Sequence, residues 1–289
     1  MELLKHQISA LEFIRLRLQN NLGCFLGDPA GCGKTLPALL AARDFTPSGS
    51  LCLFVTIASA KYQLESEVKR FNVPFTPFVL NGSKSTRLNA IRGFKDSGAD
   101  LTPDLLKHDL LIINYEQILT HVQELSELPI SMIVADECMR LSNSKNKTWK
   151  LLYALANFTK ARKLALSGTP ISSSPLQAWP LFEYLNPRSL GSWYSFCATY
   201  MTADKFSMFG VIRKDRLPHL AARLRPFYLR REREALLPDL PDLMEETVPV
   251  ELSEQERKLY DQLVLDILLE VEKPRIDRIE NPQNVGMGL

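Results

Sequence analysis

Short apolar runs recur along the first 170 positions and alternate with longer segments of helical periodicity. The runs lie at residues 22–26, 51–57, 76–80, 109–114, 131–135 and 162–166. Unbroken apolar runs of this length are typical of strands that are buried on both faces of a parallel sheet. The alternation therefore predicts an α/β fold with a mainly parallel sheet and helices on both faces.

Beyond residue 170 the pattern predicts helices with little strand signal, at residues 175–185 and 192–201. A capping box formed by Ser253 and Glu256 opens an amphipathic helix that Pro274 is expected to end. We predict one large domain at residues 1–240 and a C-terminal helical extension at residues 241–289.

A glycine-rich turn lies between the first apolar run and a segment of good helix formers. It reads Gly27-Asp28-Pro29-Ala30-Gly31-Cys32-Gly33-Lys34-Thr35. A strand, a glycine-rich turn and Gly-Lys-Thr at the start of a helix form the context of a phosphate-binding loop, because backbone N–H groups and the helix N-terminus then face an anion. In such a loop Lys34 reaches the β- and γ-phosphates and the Thr35 hydroxyl binds Mg²⁺.

Two adjacent acids, Asp136 and Glu137, follow the apolar run at residues 131–135. Nucleotide hydrolysis needs one carboxylate to hold Mg²⁺ and another to deprotonate the attacking water. We assign the first role to Asp136 and the second to Glu137. Since the ends of parallel strands meet at one edge of a sheet, we expect both acids to lie near the glycine-rich loop.

Composition limits the class of protein. The chain has 289 residues, of which 45% are hydrophobic and 24% charged, with a net charge of +2 and five cysteines. It has no apolar stretch long enough for a membrane span, no signal-peptide pattern and no C-x-x-C pair. We therefore expect a cytoplasmic, nucleoid or nuclear protein with buried free thiols and no membrane partner.

The charges are distributed unevenly near the C-terminus. Residues 213–233 contain eight Lys or Arg and two acids, whereas residues 234–256 contain eight acids and no Lys or Arg. The basic block fits two interpretations, a surface for nucleic-acid phosphates or a solvated face that pairs with the acidic stretch.

Several further motifs follow one another in a fixed order. They are Leu4-Lys5-His6-Gln7, Asp28-x-x-Gly31-x-Gly33-Lys34-Thr35, Ala60-Lys61-Tyr62-Gln63-Leu64-x-x-Glu67, Ile113-Asn114-Tyr115-Glu116, Asp136-Glu137-x-x-Arg140-Leu141-x-Asn143, Leu166-Ser167-Gly168-Thr169-Pro170-Ile171 and Arg225-Pro226-Phe227-Tyr228-Leu229-Arg230-Arg231. This series resembles the N-terminal RecA-like lobe of superfamily-two helicase-like ATPases. Within them it is most similar to the Swi/Snf-type DNA translocases and their annealing-helicase branch.

The resemblance implies a RecA-like P-loop NTPase lobe that binds ATP and Mg²⁺, hydrolyses ATP and translocates on duplex DNA. The nucleotide site that it implies comprises Gln7, which reads adenine, together with Asp28, Gly31, Cys32, Gly33, Lys34, Thr35, Asp136 and Glu137. Thr35 and Asp136 would bind the metal ion, and Lys34, Asp136 and Glu137 would be catalytic. The DNA contacts that it implies are Lys61, Asn114, Tyr115 and Thr169, and the residues that couple the two sites are Ser167, Gly168 and Thr169.

The chain departs from the family pattern at some positions. Met139 stands where the family usually has histidine and Ser142 where it has lysine. The family's histidine helps to link the acids to the Gly-Thr-Pro motif, so we expect altered coupling. Ile57 and Leu64 replace a common proline and tryptophan. The family also uses a second RecA-like lobe, in cis or in trans, that supplies arginine fingers. We therefore expect hydrolysis by this chain alone to be incomplete.

Two other classes of function remain open from the sequence. One is a non-catalytic nucleotide- or DNA-binding module that regulates a partner, and the other is an RNA helicase of the same superfamily. The Gly-Thr-Pro motif and the Arg-Pro-Phe-Tyr-Leu-Arg-Arg signature argue against the RNA helicase. A GTPase is disfavoured because the chain contains no Asn-Lys-x-Asp motif.

Overall fold

A computed structural model describes residues 3–96, 109–169, 174–204, 207–236 and 249–280. The chain divides into two compact units, Met1–Leu240 and Pro241–Leu289. Parts of the predicted motifs, namely residues 170 and 171 of the Gly-Thr-Pro segment, lie outside the described residues. None of the helices in the described ranges is long and apolar enough to cross a lipid bilayer.

The first unit contains nine strands and ten α-helices in its described part. The strands are β1 (Cys24–Leu26), β2 (Leu51–Thr56), β3 (Pro77–Val79), β4 (Leu110–Asn114), β5 (Ile130–Ala135), β6 (Arg162–Leu166), β7 (Met201–Asp204), β8 (Ser207–Ile212) and β9 (Tyr228–Leu229). The helices are α1 (Lys5–Gln19), α2 (Thr35–Asp44), α3 (Lys61–Arg70), α4 (Lys84–Asp96), α5 (Tyr115–Ser126), α6 (Lys147–Thr159), α7 (Ala178–Leu185), α8 (Trp193–Tyr200), α9 (Leu217–Leu224) and α10 (Arg233–Leu236).

Seven of these strands form one sheet in the order β3-β4-β2-β5-β6-β1-β9, and every neighbouring pair is parallel. Side chains alternate between its two faces. One face packs against α1, α2 and α3, and the other against helices α4 to α9. The predicted α/β class, with helices on both faces of a parallel sheet, is confirmed.

Two strand regions were not predicted. Strands β7 and β8 pair as an antiparallel hairpin, and β9 adds to the edge of the main sheet beside β1. The β9 segment is only two residues long, and the hydrogen bonds from Phe25 N to Phe227 O (2.8 Å) and from Gly27 N to Leu229 O (2.8 Å) hold it. A strand of two residues is too short to show an alternating hydrophobic pattern in the sequence.

The described part of the second unit is dominated by α11 (Glu254–Glu280). Ser253 begins it with the predicted capping box, since Ser253 N donates to Glu256 Oε2 (2.9 Å) and Glu256 N donates to Ser253 Oγ (3.4 Å). The expectation that Pro274 ends this helix is wrong, because α11 continues to Glu280. A proline inside a helix removes one hydrogen bond at a cost of about 3 kcal/mol, and neighbouring turns can tolerate that loss.

Candidate functional site

The glycine-rich loop connects β1 to α2 and lies at the carboxyl edge of the sheet. Gly31 and Gly33 have φ angles of +83° and +70°, a left-handed conformation that side chains with a Cβ rarely adopt. Thr35 is the first residue of α2, and Lys34 Nζ donates to Pro29 O across the loop at 3.0 Å. The loop therefore has the backbone of an anion cradle at a helix N-terminus.

Gln7 of α1 holds the loop from outside. Its Nε2 donates to Gly33 O at 3.2 Å, and its Oε1 accepts from Leu4 N at 3.0 Å. A Cβ atom at Gly33 would lie only 2.5 Å from Gln7 Nε2. The glycine at position 33 is thus required both by its backbone angle and by the approach of Gln7.

Asp28, which stands where the general loop pattern has glycine, is 2% exposed. Its Oδ1 accepts from Arg231 N (3.1 Å) and Arg231 Nε (3.2 Å), and its Oδ2 accepts from Arg231 Nη2. Arg231 Nη1 also donates to His6 O at 2.9 Å. The Arg231 guanidinium therefore joins the loop, α1 and the segment that follows β9. A direct contact between Asp28 and nucleotide stays a prediction.

The two acids follow β5 at the same edge. Asp136 Oδ2 accepts from Thr56 Oγ1 at 2.9 Å, at the end of the adjacent strand β2. Burial raises the pKa of Asp136, and the hydrogen bond from Thr56 partly offsets that effect. Asp136 is thus held in a fixed position by a neighbouring strand.

Glu137 has a left-handed backbone conformation, with φ +47° and ψ +50°. Ser167 Oγ, at the end of β6, donates to Glu137 Oε2 at 3.4 Å and accepts from Thr169 N at 3.2 Å. A Cβ atom at Gly168 would lie 3.1 Å from Ala30 N in the loop. The Ser-Gly-Thr segment therefore contacts both the acidic pair and the glycine-rich loop.

These groups surround a cleft of about 460 Å³, which we call the loop cleft. It is lined by Ala30, Gly31, Gly33, Lys34, Thr35, Ile57, Ala60, Gln63, Leu64, Glu67, Asp136 and Glu137. The structure thus brings the core of the predicted nucleotide site together. Predicted residues that do not line this cleft are Gln7, Asp28 and Cys32, which support the loop from behind or lie within it.

The donor set of the loop cleft fits a nucleotide phosphate with Mg²⁺. Mg²⁺ prefers a hydroxyl, one or two carboxylates, phosphate oxygens and water over a cage made only of protein ligands. Thr35 and Asp136 supply the hydroxyl and the carboxylate. In the described ranges no three His, Cys, Asp or Glu side chains cluster as a metal site.

A second cleft, of about 370 Å³, opens beside β4, and we call it the cationic pocket. It is lined by Ala58, Lys61, Tyr62, Asn81, Arg87, Asn114, Glu116, Gln117 and Thr120. Within the described residues, neither Lys61 nor Arg87 forms an ion pair. The lining thus carries two cations, Lys61 and Arg87, against one acid, Glu116, and this positive balance favours an anionic occupant.

The four residues predicted to contact DNA have different environments. Lys61 is 5% exposed, its Nζ donates to Leu80 O at 2.7 Å, and burial, followed by the nearby Arg87, lowers its pKa. Tyr115 is 2% exposed and its hydroxyl donates to Asp136 O at 2.6 Å. Asn114 caps α5 by accepting from Gln117 N, and Thr169 is exposed. The DNA contacts stay a prediction, and Lys61 and Tyr115 already use their polar atoms inside the protein.

Sequence reasoning did not identify Arg87 of the cationic pocket, nor Thr56 and Arg233, which lie next to the groups of the loop cleft. Thr56 ends an apolar strand and gave no signal of its own. Arg87 belongs to no motif of the sequence, yet its Nε donates to the buried His121 Nε2 at 3.1 Å and its Nη1 to Gly82 O at 2.6 Å. Arg233 lies beside the loop, with Nη2 3.5 Å from a Cβ built at Gly31. Only its place next to the Arg-Pro-Phe-Tyr-Leu-Arg-Arg signature could have indicated it.

Comparison with known proteins identifies relatives of the chain. An uncharacterised ATP-dependent helicase, MG018 of Mycoplasma genitalium, is 26% identical over 273 residues, which are 93% of this chain and 24% of that protein. Human chromodomain-helicase-DNA-binding protein 8 is 28% identical over 266 residues, which are 90% of this chain and 10% of that protein. The chain therefore spans a quarter or less of these relatives.

Among solved structures, the fold is similar to the SWI2/SNF2 ATPase core of Sulfolobus solfataricus in complex with dsDNA. The TM-score is 0.66 at 24% identity, and the match covers 94% of this chain and 54% of that one. The SNF2-related domain family matches residues 6–285. Since that match includes nearly every residue, the chain belongs to the SNF2-related domain family.

Proposed function

We propose that the chain is the first motor lobe of an ATP-dependent DNA translocase, which binds Mg·ATP in the loop cleft and the backbone of duplex DNA at the cationic pocket. The observation that carries the proposal is the meeting of Lys34, Asp136 and Glu137 in one cleft at the carboxyl edge of the sheet. Membership of the SNF2-related domain family supports it.

Each residue of the loop cleft has a role in this proposal. Backbone N–H groups of the glycine-rich loop and Lys34 bind the phosphates. Thr35 and Asp136 hold Mg²⁺, which would neutralise charge that develops on the phosphate oxygens. Glu137 accepts the proton of the attacking water, and Ser167 orients its carboxylate. Gln7, through its bond to Gly33, keeps the loop in the binding conformation and lies on the adenine side.

The DNA side of the proposal rests on charge and shape. Lys61 and Arg87 provide cations, and Asn81, Asn114 and Gln117 provide amide groups, around a pocket large enough for a phosphate group. Glu116 is the one acid among the lining residues, and it pairs with Arg140 at 3.5 Å. Contacts of this kind recognise the phosphate backbone and carry no sequence preference.

Hydrolysis in this proposal needs a second RecA-like lobe, in cis or in trans. The chain spans about half of the Sulfolobus core that it matches. Transition-state arginines are worth about 10³–10⁵ in rate in related phosphoryl transfer, so without a second lobe that supplies them nucleotide would bind but turnover would be low. The residues at 241–289, including α11, would connect to such a lobe.

The first test is ATP binding and steady-state hydrolysis by this chain, with duplex DNA, with RNA and without nucleic acid. The proposal expects ATP binding, duplex DNA binding and little turnover until a second lobe is supplied. Turnover that stays absent with a second lobe present would favour a non-catalytic binding module. Preference for RNA over duplex DNA would favour an RNA helicase.

A further inference from the structure

The buried hydroxyl of Tyr115 contacts the peptide that joins the two acids. It donates to the carbonyl oxygen of Asp136 at 2.6 Å, and Asp136 N donates to Val55 O at 2.8 Å. Burial raises the pKa of the Tyr115 hydroxyl well above its ordinary value, so the group remains a hydrogen-bond donor at neutral pH. The peptide group between Asp136 and Glu137 is therefore held from the side of Tyr115.

This peptide sets the backbone of Glu137. A left-handed conformation is uncommon for a residue with a Cβ, and it persists only where the surrounding structure holds it. Tyr115 fixes the peptide plane that precedes Glu137, and Ser167 Oγ contacts the carboxylate at 3.4 Å. The direction of the Glu137 side chain thus depends on the position of Tyr115.

Tyr115 is also the first residue of α5, and the first turn of α5 forms a wall of the cationic pocket. Asn114 and Gln117 close a reciprocal capping box around it, each N–H donating to the other side chain at 2.9 Å. Gln117 Nε2 and Lys61 Nζ both donate to Leu80 O, at 3.0 and 2.7 Å. An occupant that displaces this turn also displaces the Tyr115 hydroxyl.

A second contact joins the first turn of α5 to the segment that follows β5. Arg140 Nη1 lies 3.5 Å from Glu116 Oε1, but the two side chains are 59% and 55% exposed. Ion pairs this exposed contribute little, since water and salt screen them. The Tyr115 side chain is 2% exposed and its hydrogen bond to Asp136 O is short, so this bond connects the cationic pocket to the acids more firmly than the exposed ion pair does.

We propose that Tyr115 is a positioning residue which transmits occupancy of the cationic pocket to Glu137 through the Asp136 carbonyl. The inference rests on the proposed function. It makes Tyr115 a buried link between the two sites instead of a residue that contacts DNA. Coupling between two ligands is reciprocal, so DNA must change the affinity for nucleotide by the same factor by which nucleotide changes the affinity for DNA.

The test measures that factor on the 289-residue chain, with a fluorescent ADP analogue and a short DNA duplex titrated separately and together. Wild type should show a coupling factor of about fivefold or more, within the usual range for coupled sites. Tyr115→Phe, which deletes only the hydroxyl, should bring the factor to within about twofold of one while each ligand alone binds within about threefold of wild type. The control Tyr194→Phe deletes a hydroxyl from a side chain that is 86% exposed and should retain the full factor.

A full coupling factor in Tyr115→Phe would overturn this inference and leave the proposed function intact. Absence of duplex binding by wild type would overturn both. If Tyr115→Phe does not fold, as its melting curve reports, hydrogen exchange of wild type gives the answer. Nucleotide alone should change the exchange of amides at residues 115–118, and unchanged exchange there would contradict the connection.

Discussion

Arg231 and Asp28 form a buried ion pair although 203 positions separate them in the chain. The Asp28 side chain is 3% exposed and the Arg231 side chain 21% exposed. Both the guanidinium and the backbone N–H of Arg231 bind the carboxylate, so the geometry is bidentate and charge-assisted. Asp28 of the glycine-rich loop therefore holds the segment that follows β9 in place.

Removing Arg231 should be strongly destabilising. Arg231→Ala leaves the Asp28 carboxylate buried without a partner, which typically costs about 3–5 kcal/mol of unfolding free energy. Urea denaturation measures this loss of unfolding free energy. Arg216→Ala is the matched control, because Arg216 is 48% exposed and its pair with Asp215 is 3.6 Å long, so its effect should stay within about 0.5 kcal/mol. Equal losses in the two variants would refute an anchoring role for Arg231.

Much of this arrangement could be predicted from sequence because buried parallel strands leave unbroken apolar runs. Strands β2, β4, β5 and β6 lie where such runs occur, and the side chains that follow them meet at one edge as expected. The pairing of Asp28 with Arg231 depends on β9, whose two residues carry no periodic signal. The pattern also does not reveal the burial of single polar side chains, so it does not show that Lys61 and Tyr115, which the resemblance implies as DNA contacts, are buried.

Gly33→Ala should abolish nucleotide binding. The added Cβ would lie 2.5 Å from Gln7 Nε2 in a residue with φ +70°, so both the loop and Gln7 must move. Gly49 provides the control, since its φ is +79° and a Cβ there meets nothing within 4 Å. Gly49→Ala should cost about 1–2 kcal/mol of stability through its backbone angle alone and leave nucleotide affinity unchanged. Calorimetric titration with ADP distinguishes the two variants. Normal ADP binding by Gly33→Ala would contradict the assigned geometry.

Lys34→Ala and Glu137→Gln should separate binding from hydrolysis. The first removes the cation of the phosphate loop, so ATP binding should be lost. The second keeps the shape of the side chain but removes the base, so ATP should bind normally and hydrolysis should stop even with a second lobe supplied. Filter binding and phosphate release measure the two steps. Turnover at the wild-type rate in either variant would overturn the site assignment.

The raised pKa of Asp136 predicts a stability change of definite sign. Its folded-state pKa lies above the ordinary 3.8 because burial disfavours the charged form. The ionised carboxylate therefore costs stability at neutral pH, and this cost disappears as the pH falls through the raised folded-state pKa toward 3.8. Asp136→Asn should accordingly be more stable than wild type at pH 7.5, with an advantage that narrows at lower pH.

Urea denaturation across that pH range measures the difference, and Asp215→Asn is the control because its side chain is 64% exposed. The same Asp136→Asn variant should bind Mg·ATP more weakly, since the site loses a metal-binding charge. A variant that is less stable than wild type at pH 7.5 would show that the hydrogen bond from Thr56 outweighs desolvation.

Arg87 should account for one phosphate contact of duplex DNA. Each phosphate that a protein neutralises adds about 0.9 to the slope of log K against log salt concentration. Arg87→Gln should therefore lower the magnitude of that slope by about 1 and weaken binding equally for all sequences. Arg92→Gln removes an exposed charge from the same helix α4 and should leave the slope unchanged.

Arg87→Lys keeps the charge but cannot reproduce the bond from Nε to His121, so it should retain the slope even if its melting temperature falls. Fluorescence anisotropy at several salt concentrations measures all three variants, and a slope for Arg87→Gln equal to that of Arg92→Gln would exclude the cationic pocket as a phosphate site.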